Sequence, residues 1–235
     1  MSSTKTQTGA APVQDCWNCK AVAGDGHFCA ACGKIQPLAG GADYFAFFGL
    51  PQKLKINEVE LEQRFHQLSW KLHPDNFVKA SEFERNLALE RSSELNDAYR
   101  ALREPVLRVE YLLLREKVRK EGTTKQQAPP ELLEEVFELN ESLDELREAR
   151  TGETSDDGDL SELRGRLAEA QRNFQEKLEE VDAELQSVFG EWDKVIDSGA
   201  DEAARRAVSA KLNEVLNRRS YIRNLVRNVA QELEG

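Results

Sequence analysis

Between residues 61 and 72 the apolar positions Leu61, Phe65, Leu68 and Leu72 fall at i, i+4, i+7 and i+11. They form one stripe of a 3.6-residue period and predict an amphipathic helix. His73-Pro74-Asp75 follows directly. Pro74 has no N–H to continue the helix and pushes His73 out of the α region. The triplet is therefore expected at an exposed corner, with a rigid ring holding an imidazole and a carboxylate apart. Phe83, Leu87, Leu95, Ala98, Tyr99 and Leu102 predict a second helix folding back antiparallel on the first.

Three further periodic segments lie beyond a polar connector, Glu121 to Pro130, that ends in a proline pair. The first, about Glu131 to Arg150, carries Leu132, Val136, Leu139, Leu143 and Leu146. The second, about Leu160 to Phe189, carries Leu163, Leu167, Phe174, Leu178, Val181 and Leu185. The third, about Asp201 to Glu234, carries Val208, Leu212, Val215, Ile222, Val226, Val229 and Leu233. Glycine-containing stretches, Thr151 to Asp159 and Gly190 to Ala200, are expected to separate them. Three such stripes can bury one another, which predicts a three-helix bundle. No strand-like alternation follows residue 40. The expected fold class is all-α: a helical hairpin plus a C-terminal three-helix bundle.

All four cysteines are packed ahead of these helices, as Cys16-x-x-Cys19 and Cys29-x-x-Cys32. A two-residue gap lets both thiolates of a pair turn toward one ion, and two pairs complete a tetrahedral sulfur shell. The reading is a small metal-binding knuckle, with structural zinc expected and iron an alternative in the same sulfur geometry. Gly24, Gly26 and Gly33 supply turns. The segment is too short for a core of its own, so metal binding would provide most of its folding energy. His27 is expected to be an exposed loop histidine, because four cysteines already fill the shell. The expected domains are a disordered tail (1–15), the knuckle (16–37) followed by the Gly40-Gly41 break, a helical hairpin with its connecting helix (43–120) and the bundle (131–235).

Composition narrows the function. A net charge of −11 opposes wholesale binding to nucleic acid, where many phosphates must be neutralised, and weighs against an anionic membrane surface. No apolar run approaches the roughly 20 residues of a spanning helix. The polar start, Met1 to Asp15, has neither an apolar signal core nor arginines. A cytoplasmic protein is expected, with the mitochondrial matrix the alternative in a eukaryotic cell. No nucleophile–base pair, phosphate loop or paired-carboxylate cleft is legible, so the chain is not read as an enzyme.

Helix, His-Pro-Asp and helix together resemble the J domain, the module that stimulates ATP hydrolysis by DnaK-class chaperones. Asp43-Tyr44-Phe45-Ala46-Phe47-Phe48-Gly49-Leu50 is similar to its opening, and Leu95-Asn96-Asp97-Ala98-Tyr99 to its third helix. The resemblance implies that His73, Pro74 and Asp75 dock on the chaperone's ATPase domain, with Arg64 and Lys71 on a basic helix face that also bears Gln67. Asn76 departs from the lysine that commonly follows the aspartate. His66 is read as a surface histidine.

A J domain followed by a short helical bundle resembles the HscB family of iron–sulfur co-chaperones, and the two Cys-x-x-Cys pairs resemble the knuckles of some members. The implied partners are an HscA- or DnaK-type ATPase and an IscU-type scaffold. Independently, Leu133 and Phe137 lie roughly 100–140° off their helix's core stripe, with Glu138, Glu141 and Glu145 further round. Tyr221 is likewise off its stripe. An exposed Leu/Phe pair bordered by carboxylates suits a partner surface. The resemblance places scaffold binding on Leu133, Phe137, Glu138, Glu141, Glu145 and Tyr221. Glu134 stands at a usually apolar position. The alternatives are a general J-domain adaptor for another client, or a metal or redox protein using the cysteines.

Overall fold

In the computed structural model, residues 15–24, 26–37, 43–119, 128–151 and 157–234 are described. The expected tail before Asp15, the Gly40-Gly41 break, and most of the connector and of the Thr151-to-Asp159 separator lie outside them. The chain divides into two compact units, Met1–Arg108 and Val109–Gly235.

The first unit opens with the cysteine segment, which forms two small loops. Each is closed by one antiparallel bridge, Asp15 with Val22 and Phe28 with Ile35. Their backbone bonding repeats: Cys16 N–H donates to Ala21 O, and Cys29 N–H to Lys34 O. The residue after each second cysteine takes a left-handed conformation, Lys20 at φ 61° and Gly33 at φ 70°. Glycine adopts that conformation freely; Lys20 does so against its Cβ.

Three helices follow, and a fourth runs across the boundary into the second unit. Helix α1 (Tyr44–Phe47) starts from Asp43, whose carboxylate accepts the Phe45 N–H at 3.0 Å. Helix α2 (Glu58–Leu72) is capped by Asn57, and α3 (Glu82–Arg103) by a reciprocal Ser81–Glu84 capping box. Glu104 is extended and Pro105 begins α4 (Pro105–Arg115). Helices α2 and α3 pair as the sequence predicts. Leu61, Leu72, Leu87, Leu95, Ala98 and Leu102 are buried, and Phe65 stacks on Tyr99 with centroids 4.1 Å apart. Phe83 departs from that pattern: it is exposed to the helix pair's outside and belongs to a different contact, described below. Arg108 is buried, its Nε donating at 2.6 Å to Leu102 O at the end of α3 and its Nη1 at 2.6 Å to Leu54 O in the loop between α1 and α2.

In the second unit, α5 (Leu133–Thr151), α6 (Asp157–Asp197) and α7 (Glu202–Glu234) bury most of the predicted stripes against one another. Helix α6 is longer than its sequence pattern suggests, spanning about 60 Å. It runs through Gly190 because Val188, Phe189 and Trp192 extend the buried stripe another turn. A mid-helix glycine costs about 1 kcal/mol, less than burying Trp192 returns. The actual stop is at Gly199, at φ 61°. There Gly199 N–H reaches Ile196 O and Ala200 N–H reaches Val195 O, the paired bonds of a Schellman termination. On α7, Leu216 and Leu225 are buried while Val208, Val226 and Leu233 are only half-buried, a rotation of the expected stripe. Arg147 and Arg150 of α5 both bind Glu232, tying it to the end of α7.

Candidate metal centre and binding surfaces

The four cysteine sulfurs all lie within 4.8 Å of one another. Cys16 and Cys32 Sγ are 3.6 Å apart, and Cys19 and Cys29 Sγ 3.8 Å. A tetrahedron with zinc–thiolate bonds of about 2.3 Å has edges of about 3.8 Å, so the donor set fits one metal ion. The electrostatics agree. Burial opposes ionisation of Cys16, but the Cys19 and Asn18 amides outweigh it and lower the thiol to about 6. The Ala21 amide favours a Cys19 thiolate, yet burial and three sulfur neighbours push it up to about 12. Sulfurs this close can all ionise only around a cation. Gln36 Nε2 donates to Cys16 Sγ at 3.4 Å, and Asn18 Nδ2 to Cys32 Sγ at 3.7 Å.

The knuckle is seated on the helical hairpin. Trp17, in the first loop, ties it to the second by donating Nε1–H to Ile35 O at 2.7 Å, and its ring meets Phe83 of α3. Lys34 pairs at 2.8 Å with the largely buried Glu84 carboxylate. His27, expected to be an exposed loop residue, is instead half-buried between the two. Its ring stands edge-on to Phe47, and Nε2–H donates to Phe47 O at 2.9 Å. Nδ1 accepts from Arg91 Nη2 at 2.6 Å, and the Arg91 guanidinium lies over the Phe47 ring. A carbonyl on one nitrogen and a guanidinium on the other fix a single neutral tautomer. Burial, then the Arg91 charge, lower His27 to about 4.

The His-Pro-Asp corner is exposed. His73 leaves the helix at φ −59°, ψ 129°, and Pro74–Phe77 form one 3₁₀ turn. The imidazole and carboxylate are not held apart: His73 Nδ1 accepts the Asp75 N–H at 3.3 Å and lies 3.6 Å from Asp75 Oδ2. That leaves Nε2 and most of the carboxylate facing outward. Asn76 Nδ2 donates to Trp70 O at 2.6 Å, closing one of the orphan carbonyls of α2. Lys71 is exposed. Arg64 is engaged within the unit, its Nη1 donating to Phe48 O and Gly49 O and its Nη2 meeting Glu60.

On the bundle, Leu133 is 54 % and Phe137 71 % exposed, one turn apart on α5. Glu138, Glu141 and Glu145 line a groove of about 710 Å³ between α5 and α6. Arg166 reaches Glu145 across it at 2.9 Å, and Lys177 reaches Glu135 at 3.1 Å. Glu134 is exposed, and Tyr221 is half-buried on α7.

Comparison with known proteins decides the family. No family model matches the chain. The co-chaperone protein HscB homolog of Vibrio vulnificus (strain YJ016) is 31 % identical over 174 residues, which cover 74 % of this chain and 94 % of that protein. This chain belongs to the HscB co-chaperone family. The HscB homolog of Bordetella pertussis is 32 % identical over 139 residues, covering 59 % of this chain and 78 % of the relative. The mouse iron–sulfur cluster co-chaperone protein HscB is 32 % identical over 139 residues, 57 % of this chain and 59 % of the mouse protein. The crystal structure of human co-chaperone protein HscB shares the fold, with a TM-score of 0.58 at 22 % identity over 93 % of this chain and 98 % of that one.

For an HscB-family chain, two residues near these sites went unread in the sequence. Arg91 left a signal, a charge standing between Leu87 and Leu95 in the apolar stripe of α3, where a buried cation needs partners. Trp70 left another: it stands opposite the Leu61–Leu72 stripe, where an apolar side chain must face water.

Proposed function

We propose that this HscB-family chain is a non-enzymatic, cytoplasmic co-chaperone that stimulates an HscA- or DnaK-type ATPase and delivers an IscU-type scaffold to it. Iron–sulfur cluster assembly and transfer would be the process served. The exposed His73-Pro74-Asp75 corner, beside a paired helical hairpin, carries this reading. An outward carboxylate at Asp75 can form a charge-assisted contact with a partner arginine. His73 offers an outward N–H beside it, Pro74 fixes their spacing, and Lys71 adds a cation. Arg64, bound to the carbonyls that end α1, would act by holding the hairpin's opening segment.

The bundle would present Leu133 and Phe137 to the scaffold, with Glu138, Glu141 and Glu145 alongside and Tyr221 from α7. The unlike characters of the two surfaces support two different partners. Carrying both on one chain raises the local concentration of scaffold at the ATPase. Zinc would be held by Cys16, Cys19, Cys29 and Cys32, fastening the knuckle. Four thiolates leave no position for a reacting water.

Single-turnover ATP hydrolysis by the chaperone, measured with this protein, the scaffold, both and neither, tests the proposal. Synergy between protein and scaffold is expected. Stimulation indifferent to the scaffold would leave a J-domain adaptor for another client, and no stimulation would overturn the reading.

A further inference from the structure

We propose that Trp70 is an apolar anchor through which the His-Pro-Asp corner grips the ATPase chaperone, so that docking by this chain depends more on the indole than on a cationic helix face. The inference rests on the chaperone-docking reading of that corner.

Three observations carry it. Trp70 is 76 % exposed, more than any other large hydrophobic side chain among the described residues. Its position is not incidental to the corner. By helical geometry it shares with Val59, Gln63 and His66 a stripe about 60° wide, opposite the buried Leu61 and Leu72. Val59 on that stripe is exposed, as is Val78 just past the corner. The second observation is the Asn76 side chain, which bonds Trp70 O at 2.6 Å. This bond fixes the backbone that carries the indole to the turn that carries His73 and Asp75. The indole and the polar pair are thus presented together, as a surface anchored at both ends requires.

The third observation concerns charge. Helix α2 holds Glu58, Glu60 and Glu62 against Arg64 and Lys71, three carboxylates to two cations. Arg64 is already bound to Phe48 O, Gly49 O and Glu60, which leaves Lys71 facing outward. Such a helix has little electrostatic attraction for an acidic partner surface. A large, rigid apolar group can supply the missing affinity, and tryptophan is the residue type most often found in that role. The occupant this surface fits is therefore a chaperone face with an apolar recess beside the groups that receive His73 and Asp75.

The test uses the full chain and the cognate chaperone, with ATPase stimulation titrated against co-chaperone at low and high salt. Trp70→Ala should raise the half-maximal concentration about tenfold or more while leaving stimulation at saturation unchanged. Trp70→Phe should recover part of the loss, and wild-type docking should weaken only modestly with salt. A second readout needs no turnover. With 5-fluorotryptophan incorporated, the ¹⁹F resonance absent from Trp70→Phe should shift on adding chaperone, while those of Trp17 and Trp192 stay in place. Superimposable Trp70→Ala and wild-type titrations, with His73→Gln inactive, would overturn the anchor and leave the corner's role standing. A wild-type chain that fails to stimulate at all would overturn both. Loss of a homodimer in Trp70→Ala, with stimulation unchanged, would reassign the indole to self-association.

Discussion

Trp17 of the cysteine knuckle meets Phe83 of α3 edge to face, with ring centroids 4.8 Å apart and planes at 70°. The contact gives the metal centre a consequence for the hairpin. Trp17 is the residue after Cys16, and its indole is oriented by Ile35 O, so its position depends on both halves of the knuckle staying folded. The Lys34–Glu84 and His27–Phe47 contacts depend on the same fold.

Metal removal should therefore destabilise more than the knuckle. An aromatic pair contributes about 0.5–1.5 kcal/mol beyond its buried area, and a change of about 1 kcal/mol moves the midpoint of a domain this size by about 4–8 °C. Chelation is expected to lower the melting midpoint of the first unit by several degrees while leaving most helical circular dichroism at 25 °C. Trp17→Ala should reproduce part of that shift with metal still bound. An unchanged midpoint in both experiments would show that the knuckle does not brace the hairpin.

Two glycines should respond to alanine with opposite signs. Gly165 lies exposed within α6, and a Cβ there meets nothing within 4 Å. Gly165→Ala should stabilise the bundle by about 0.5–1 kcal/mol through helix propensity. Gly199 also has open space, but its φ of 61° is a conformation an L side chain resists. Gly199→Ala should destabilise by about 1–2 kcal/mol. Urea midpoints of the two variants, compared with wild type, check both signs.

These glycines also show what the sequence could reveal. The stripes of α2, α5 and α7 were legible because each apolar residue reports one angular position, and most of those positions are buried. The end of α6 was not, because Gly190 reads as punctuation while the decisive burial of Trp192 is a tertiary effect. The cysteine site was legible from spacing alone, since two short Cys-x-x-Cys turns constrain the sulfurs locally. What it rests on was not. His27 meets Arg91 across 64 residues of chain, and Trp17 meets Phe83 across a comparable separation; no periodicity encodes such contacts. The corner's shape lay between: Pro74 announced the break, but the Asp75 N–H to His73 bond that draws imidazole and carboxylate together belongs to the 3₁₀ turn itself.

That bond bears on what His73→Gln should do. Both ring nitrogens matter in different ways: Nδ1 accepts the Asp75 N–H, and Nε2 is left for a partner. Glutamine can accept with its amide oxygen but cannot hold the same outward N–H at the same place. The variant is expected to keep its melting midpoint within about 2–4 °C, since surface substitutions usually change stability by no more than about 0.5 kcal/mol. Its scaffold affinity should be unchanged and its ATPase stimulation lost. Normal stimulation at equal concentration would remove His73 from the docking contact.

The bundle surface permits a sharper separation of binding from folding. Leu133 and Phe137 project from α5 away from its core stripe of Val136, Leu139, Leu143 and Leu146, so truncating them opens no cavity. Tyr221 is half-buried, and removing it would mix lost packing with lost contact. The informative variant is therefore Leu133→Ala with Phe137→Ala, with Tyr221→Phe kept as the conservative companion. If these side chains are central to the scaffold interface, the double variant should lose about 2 kcal/mol or more of binding, about thirtyfold in Kd. Helicity and melting midpoint should stay at wild-type values. Glu138→Gln and Glu141→Gln, at the acidic margin, should instead act mainly on the association rate and its salt dependence. Calorimetric titration of the scaffold gives the affinities, and stopped-flow binding at two ionic strengths separates the rates. An affinity unaffected by the double truncation would move the scaffold site off this face of α5, whatever the carboxylate variants did.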